Sequence, residues 1–126
     1  MRVAISIDTN DGLDSIIAHH FGRCPFFAFV DLEGDEIKAV EVMENPHYAH
    51  HQPGEVPGFI HEHNATVMLS GGMGRRAIDF FQQYGIEIAT GANGTVRNTL
   101  EEYMDGKLIG AAPCRESVEH QHGHQH

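Results

Sequence analysis

The chain reads as an α/β domain built around a five-stranded mixed sheet, and three observations carry that expectation. Short β-branched apolar runs stop at turns rich in Gly, Asn and Asp. Glu33-Gly34-Asp35 joins two of these runs as a hairpin. Two amphipathic helical stretches, each entered through a glycine corner and closed by a glycine, separate the later runs. The resulting order, β-β-β-α-β-α-β-α, puts a hairpin in the first half and two right-handed β-α-β crossovers in the second.

Each element has its own signal. Arg2 to Ile7 is a continuous apolar run closed by Asp8-Thr9-Asn10-Asp11-Gly12, the pattern of a central strand buried on both faces. Phe26 to Asp31 is a second strand, and Glu36 to Met43 a third, with Ile37, Val40 and Val42 set among charges. Asn45 to Gly58 carries Pro46, Pro53 and Pro57 together with His47, His50 and His51, so a long loop is expected there. A short helix then runs from Phe59 to His63-Asn64, with Asn64 as its stop. Thr66 to Ser70 is a compact buried strand, and Gly71-Gly72-Met73-Gly74 turns it into a helix over Arg75 to Tyr84. Ala77, Ile78, Phe80, Phe81 and Tyr84 share one face of that helix, and Gly85 ends it. Ile86 to Ala89 is the last strand, Thr90 to Gly94 the second glycine corner, and Thr95 to Met104 a helix with Val96, Leu100 and Tyr103 inward.

With 126 residues, 40% of them apolar and 21% charged, the chain can bury one core without staples. Residues 1–112 are read as that domain and residues 113–126 as a flexible His-rich tail, because the sequence beyond Pro113 is polar and aperiodic. A formal charge of −10 argues against nucleic acid as a partner. No apolar run approaches the roughly 20 residues of a membrane helix, and Met1 to Ile5 reads as a strand rather than a signal peptide, so a cytoplasmic location is expected. In that compartment Cys24 and Cys114 are read as thiols or thiolates rather than as a disulfide.

Three segments, taken in order, resemble the dinitrogenase iron-molybdenum cofactor biosynthesis family, the single-domain relatives of the NifX and NafY cofactor carriers. They are His20-Phe21-Gly22-Arg23-Cys24-Pro25, Gly71-Gly72-Met73-Gly74 with Arg76-Ala77, and Thr90-Gly91 through Gly94-Thr95-Val96. The similarity spans roughly residues 1 to 110 by strand order as well as by motif. It implies a ribonuclease-H-like sheet of strand order 3-2-1-4-5, with strand 2 antiparallel to the rest and helices on both faces. It also implies binding of a metal-sulfur cluster of Fe-S, Fe-Mo-S or Mo-Cu-S type, and partners among metallocofactor assembly or recipient proteins. Nuclease action is not expected, since only Asp8 sits at a plausible strand end and a metal-dependent nuclease needs several carboxylates.

In that strand order Asp8, Pro25, Ser70 and Thr90 fall on one edge, outside the carboxyl ends of the parallel strands, where α/β sheets bind ligands. Gly71, Gly72, Gly74, Gly91 and Gly94 either make compact turns or expose backbone N–H groups to an anion, and sequence leaves both readings open. His19, His20 and Cys24 form a soft to borderline ligand set, with Arg23 expected to lower the thiol pKa and Arg75 and Arg76 to balance a cluster's charge. The alternative is that His20 and Phe21 pack while Cys24 behaves as a small buried hydrophobe. Two cysteines cannot supply the four thiolates of an ordinary iron-sulfur centre, so a cluster has to bring its own sulfides, use histidine or be shared between chains.

Eleven histidines are the compositional anomaly. His120, His122, His124 and His126 place four imidazoles in seven residues, a signal for Ni, Cu or Zn, to which Cys114 could add a thiolate. His47, His50 and His51 could hold one divalent ion on the proline loop, whereas His61 and His63 diverge on their helix. A metal buffer or sensor acting through the tail is therefore the second reading. Catalysis is not expected, because the chain has no Ser-His-Asp order, phosphate loop or nucleophile elbow. The expected state is a monomer or weak homodimer.

Overall fold

The computed structural model describes residues 1–48, 54–108 and 110. It contains β1 (Arg2–Ile7), a 3-10 turn at Gly12–Asp14, β2 (Phe26–Glu33), β3 (Glu36–Glu44), α1 (Glu55–Glu62), β4 (Val67–Ser70), α2 (Arg75–Gln83), β5 (Glu87–Thr90) and α3 (Val96–Met104). The five strands form one sheet in the order β3-β2-β1-β4-β5. β2 is antiparallel to β1 and β3, while β1, β4 and β5 run parallel, as the resemblance implied.

The central strand has side chains in two cores because successive residues point to opposite faces. Val3, Ile5 and Ile7 of β1 join Ala28, Val30 and Leu32 of β2 beneath Val96 and Leu100 of α3. Ala4 joins Phe27, Phe29 and Met68 beneath Val56 and Ile60 of α1 and Ile78 and Phe81 of α2. One helix thus covers one face and two cover the other. This explains why β1 and β4 read as unbroken apolar runs while the edge strand β3 keeps its charges in water.

Two local expectations need adjustment. α1 begins at Glu55, inside the stretch expected to be loop, and Pro57 is its third residue. A proline in the first turn forfeits no intrahelical bond, since the N–H groups there have no partner in any case. Asn64 follows the helix in the left-handed region at φ +67°, which is the stop its sequence suggested. The second difference is the 3-10 turn at Gly12–Asp14, held by donation from Ser15 N–H to the Gly12 carbonyl, which extends the turn expected over Asp8 to Gly12. No helix among the described residues is long and apolar enough to cross a membrane.

Candidate functional site

Three connections meet at the carboxyl edge of the parallel strands, and backbone hydrogen bonds tie them together. The Phe21 N–H donates to the Gly72 carbonyl at 2.9 Å, and His20 and Gly72 form a short parallel bridge. The Gly91 N–H donates to the Gly71 carbonyl at 2.9 Å, and Ile17 N–H to the Gly94 carbonyl at 2.9 Å. The stretch around His20 and both glycine corners therefore share one mouth, as the strand order required.

The glycines are needed there for two different reasons. A Cβ on Gly71 would lie 2.6 Å from the Ala18 carbonyl oxygen and 3.0 Å from that of His19, so close passage of two backbones excludes a side chain. Gly91 and Gly94 instead hold φ of +94° and +78°, a region L-residues rarely adopt. Gly94 leads into Thr95, whose hydroxyl accepts the Asn98 N–H at 3.1 Å and caps α3. Gly72 and Gly74 complete the first corner, and Gly74 is the residue from which α2 starts.

Charge pairing differs between this mouth and the rest of the molecule. Arg2, Lys38 and Arg97 each have a carboxylate within 4.0 Å, at Asp31, Glu36 and Asp14. Among the described residues no such carboxylate engages Arg23, Arg75 or Arg76, all three of which are exposed. Arg75 and Arg76 are the first two residues of α2, which has no acidic residue in its first turn and no side-chain cap. Cations at a helix N-terminus add to a potential that is already positive. The arrangement is unfavourable for the helix by itself and favourable for an anion.

Cys24 departs from its expected role. It is fully buried, packed with Ala18, Phe27 and Met73, and loss of solvation pushes its thiol up to about 12. Backbone contacts from Gly22 and Ile7 pull the other way without prevailing, Asp8 pushes it further up, and exposed Arg23 is not among the groups that act on the sulfur. The expectation that Arg23 lowers this pKa is thus reversed: neighbours in sequence are separated by the turn, one outward and one inward. His19 and His20 are exposed, with ring centroids 6.5 Å apart. Because the thiol is turned into the core, His19, His20 and Cys24 do not come together as a metal-ligating set, and no group of three or more His, Cys, Asp or Glu among the described residues does so.

The remaining histidines are placed as follows. His47 Nδ1 lies 3.5 Å from a Glu55 carboxylate oxygen, beside a cavity of about 340 Å³ that Phe59 and Glu62 also line. His61 stacks on Tyr84, and His63 packs between Phe29 and Phe59, so the two do diverge. His50, His51, Cys114, His120, His122, His124 and His126 lie outside the described residues.

Three contributors were not singled out from the sequence. Ser6 and Ser70 are fully buried at the carboxyl ends of β1 and β4, with their hydroxyls 3.0 Å apart. Asn45, also buried, donates from Nδ2 to the Cys24 carbonyl at 2.9 Å and accepts the His47 N–H at 2.9 Å, fixing the turn that carries Arg23. The signal for the serines was available: each hydroxyl directly follows consecutive apolar residues, Val3-Ala4-Ile5 before Ser6 and Val67-Met68-Leu69 before Ser70.

Fold and mouth define an α/β protein that places Arg23, Arg75 and Arg76 with the exposed His19 and His20 at the carboxyl edge of a 3-2-1-4-5 sheet. The chain belongs to the dinitrogenase iron-molybdenum cofactor family, whose model matches residues 1–106. It is 42% identical to PH0822, whose crystal structure superposes with a TM-score of 0.77 over 86% of this chain and 94% of that one. The apo form of the orange protein from Desulfovibrio gigas is similar at 26% identity and a TM-score of 0.80, over 90% and 96% of the two chains. An uncharacterized protein of Methanocaldococcus jannaschii is 28% identical over 110 residues, 86% of this chain and 89% of that protein.

Proposed function

We propose that this protein holds an anionic metal-sulfur cluster or iron-molybdenum-type cofactor as cargo during metallocofactor assembly, and is a carrier rather than an enzyme. The observation that carries the reading is the start of α2, where Arg75 and Arg76 add positive charge to an uncapped helix N-terminus beside the glycine corners. Membership of the family supports it. In this reading Arg23, Arg75 and Arg76 balance the charge of the cargo. Backbone N–H groups of the glycine corners approach its sulfides, and His20 offers one exchangeable ligand with His19 beside it. Cys24 takes no part in this reading, because its side chain is fully buried in the core, away from the mouth's surface, and burial favours the neutral thiol. Few and exchangeable protein ligands suit a cargo that has to be passed on. The partners are then assembly or recipient proteins, and the setting is cytoplasmic.

The test is anaerobic titration of the full-length protein with tetrathiomolybdate, a tetrahedral sulfido dianion, followed by gel filtration with detection of its charge-transfer absorption. Colour should co-elute with the wild-type protein and with Cys24→Ala, and be lost from a variant carrying Arg75→Gln and Arg76→Gln. Protein that elutes colourless in every case refutes the reading.

One feature favours a second function, uptake of free Ni, Cu or Zn by His120, His122, His124 and His126. Deleting residues 115–126 separates the two. Cluster uptake that survives the deletion belongs to the sheet edge, and metal binding that disappears with it belongs to the tail.

A further inference from the structure

Two hydroxyls in the driest part of the molecule are unaccounted for by the reading above. Ser6 and Ser70 are both 0% exposed, and their neighbours along the strands are Ile5, Ile7, Met68 and Leu69. Burying a hydroxyl is costly unless it is hydrogen-bonded, and alanine would fill such a position without that cost. Both hydroxyls are used in one direction: Ser6 Oγ donates to Ser70 Oγ at 3.0 Å, and Ser70 Oγ donates to the Gly72 carbonyl at 3.0 Å. That same carbonyl accepts the Phe21 N–H at 2.9 Å. The serines' own carbonyls hold the other loops, Ser6 accepting from Ala18 N–H at 3.0 Å and Ser70 from Ala92 N–H at 3.1 Å. The three loops of the mouth are thus anchored at one pair of residues on adjacent strands.

We propose that Ser70, backed by Ser6, is the positioning residue of the mouth. Its hydroxyl draws the Gly72 carbonyl inward, and so fixes the corner through which the chain enters α2 and the stretch bearing His20. Neither hydroxyl touches the cargo; the pair sets where Arg75, Arg76 and His20 stand when it arrives. The proposal rests on the carrier reading for its consequence, but not for its geometry.

Hydrogen-bond direction gives a test that a merely structural role does not pass. Ser70→Ala removes the bond to Gly72 and strands the Ser6 donor, so it should lower both stability and cargo affinity. Ser6→Ala leaves the Ser70-to-Gly72 bond in place and should retain affinity. The double variant, Ser6→Ala with Ser70→Ala, removes both partners together and should recover most of the lost stability while affinity stays low. In the full-length protein we expect tetrathiomolybdate to bind the double variant about fivefold more weakly than wild type. Hydrogen exchange at the Phe21 amide should be faster in it, with Val30 in the sheet centre unchanged. Wild-type affinity in the double variant overturns the proposal. Should the wild-type protein itself take up no tetrathiomolybdate, the carrier reading fails, and exchange decides the positioning claim alone: acceleration at Phe21 upholds it and unchanged exchange overturns it.

Discussion

Replacing Arg75 and Arg76 together by glutamine should make the protein more stable and less able to bind an anion, and that opposition of signs is what the structure requires. The two side chains occupy the first two positions of α2, where no acidic residue or side-chain cap offsets them. A charge in the first turn is worth about 0.3–1 kcal/mol through the helix dipole, here unfavourably, so neutralising both should stabilise by about 0.6–2 kcal/mol. Glutamine has nearly the helix propensity of arginine, so propensity does not mask the effect. Binding moves the other way. A dianion in contact with two guanidinium groups gains about 1 kcal/mol per charge pair even at the dielectric of water, roughly 4 kcal/mol before screening. Salt reduces this, and a loss of at least about tenfold in tetrathiomolybdate affinity at physiological salt is a conservative expectation. Urea denaturation at low and high salt measures the first effect, which should shrink as salt rises. Anaerobic titration measures the second. A destabilised double variant, or one that binds tetrathiomolybdate as wild type does, refutes the assignment of this helix start as an anion site.

Other consequences can be checked separately. Cys24 has an ordinary pKa of 9.0 when exposed and about 12 in the fold, so between these values the unfolded chain releases the proton first. Stability should therefore fall as pH rises, by up to about 1.4 kcal/mol per pH unit, whereas below 9 the two states are equally protonated and no effect remains. Urea denaturation from about pH 8 to pH 10 should show this slope in wild type and not in Cys24→Ala; equal slopes would mean that the thiol is not held in the core. Gly71→Ala would force a methyl group against the Ala18 and His19 carbonyls, and should cost about 1–3 kcal/mol in denaturation while weakening anion uptake. Thr95→Ala removes the α3 cap and should cost about 1 kcal/mol with little change in anion uptake, which separates loss of stability from loss of the mouth.

Periodicity and turn chemistry made most of the fold legible. β1 and β4 announce themselves as central strands because both faces are apolar, and Asn64 marks the end of α1 because a short amide side chain tolerates the left-handed conformation. The start of α1 was obscured by its own proline: Pro57 is disruptive in the body of a helix and harmless in the first turn, and residue type alone does not say which position it occupies. Both glycine corners could be found in the sequence, yet the reason Gly71 must be glycine could not, because it lies in the backbone of Ala18 and His19, more than fifty residues away.

The sequence by itself determined the strands, the glycine corners and the place of Arg75 and Arg76 directly after the first corner, since each is a local pattern. Tertiary structure alone decided that Cys24 faces the core while neighbouring Arg23 faces water, because the irregular turn between them has no period from which a side could be read. It alone joined Ser6 to Ser70, 64 residues apart, through the register of parallel strands that a pattern within one strand does not specify. Solvation then follows position: the same thiol is a ligand at the surface and an inert apolar group in the core.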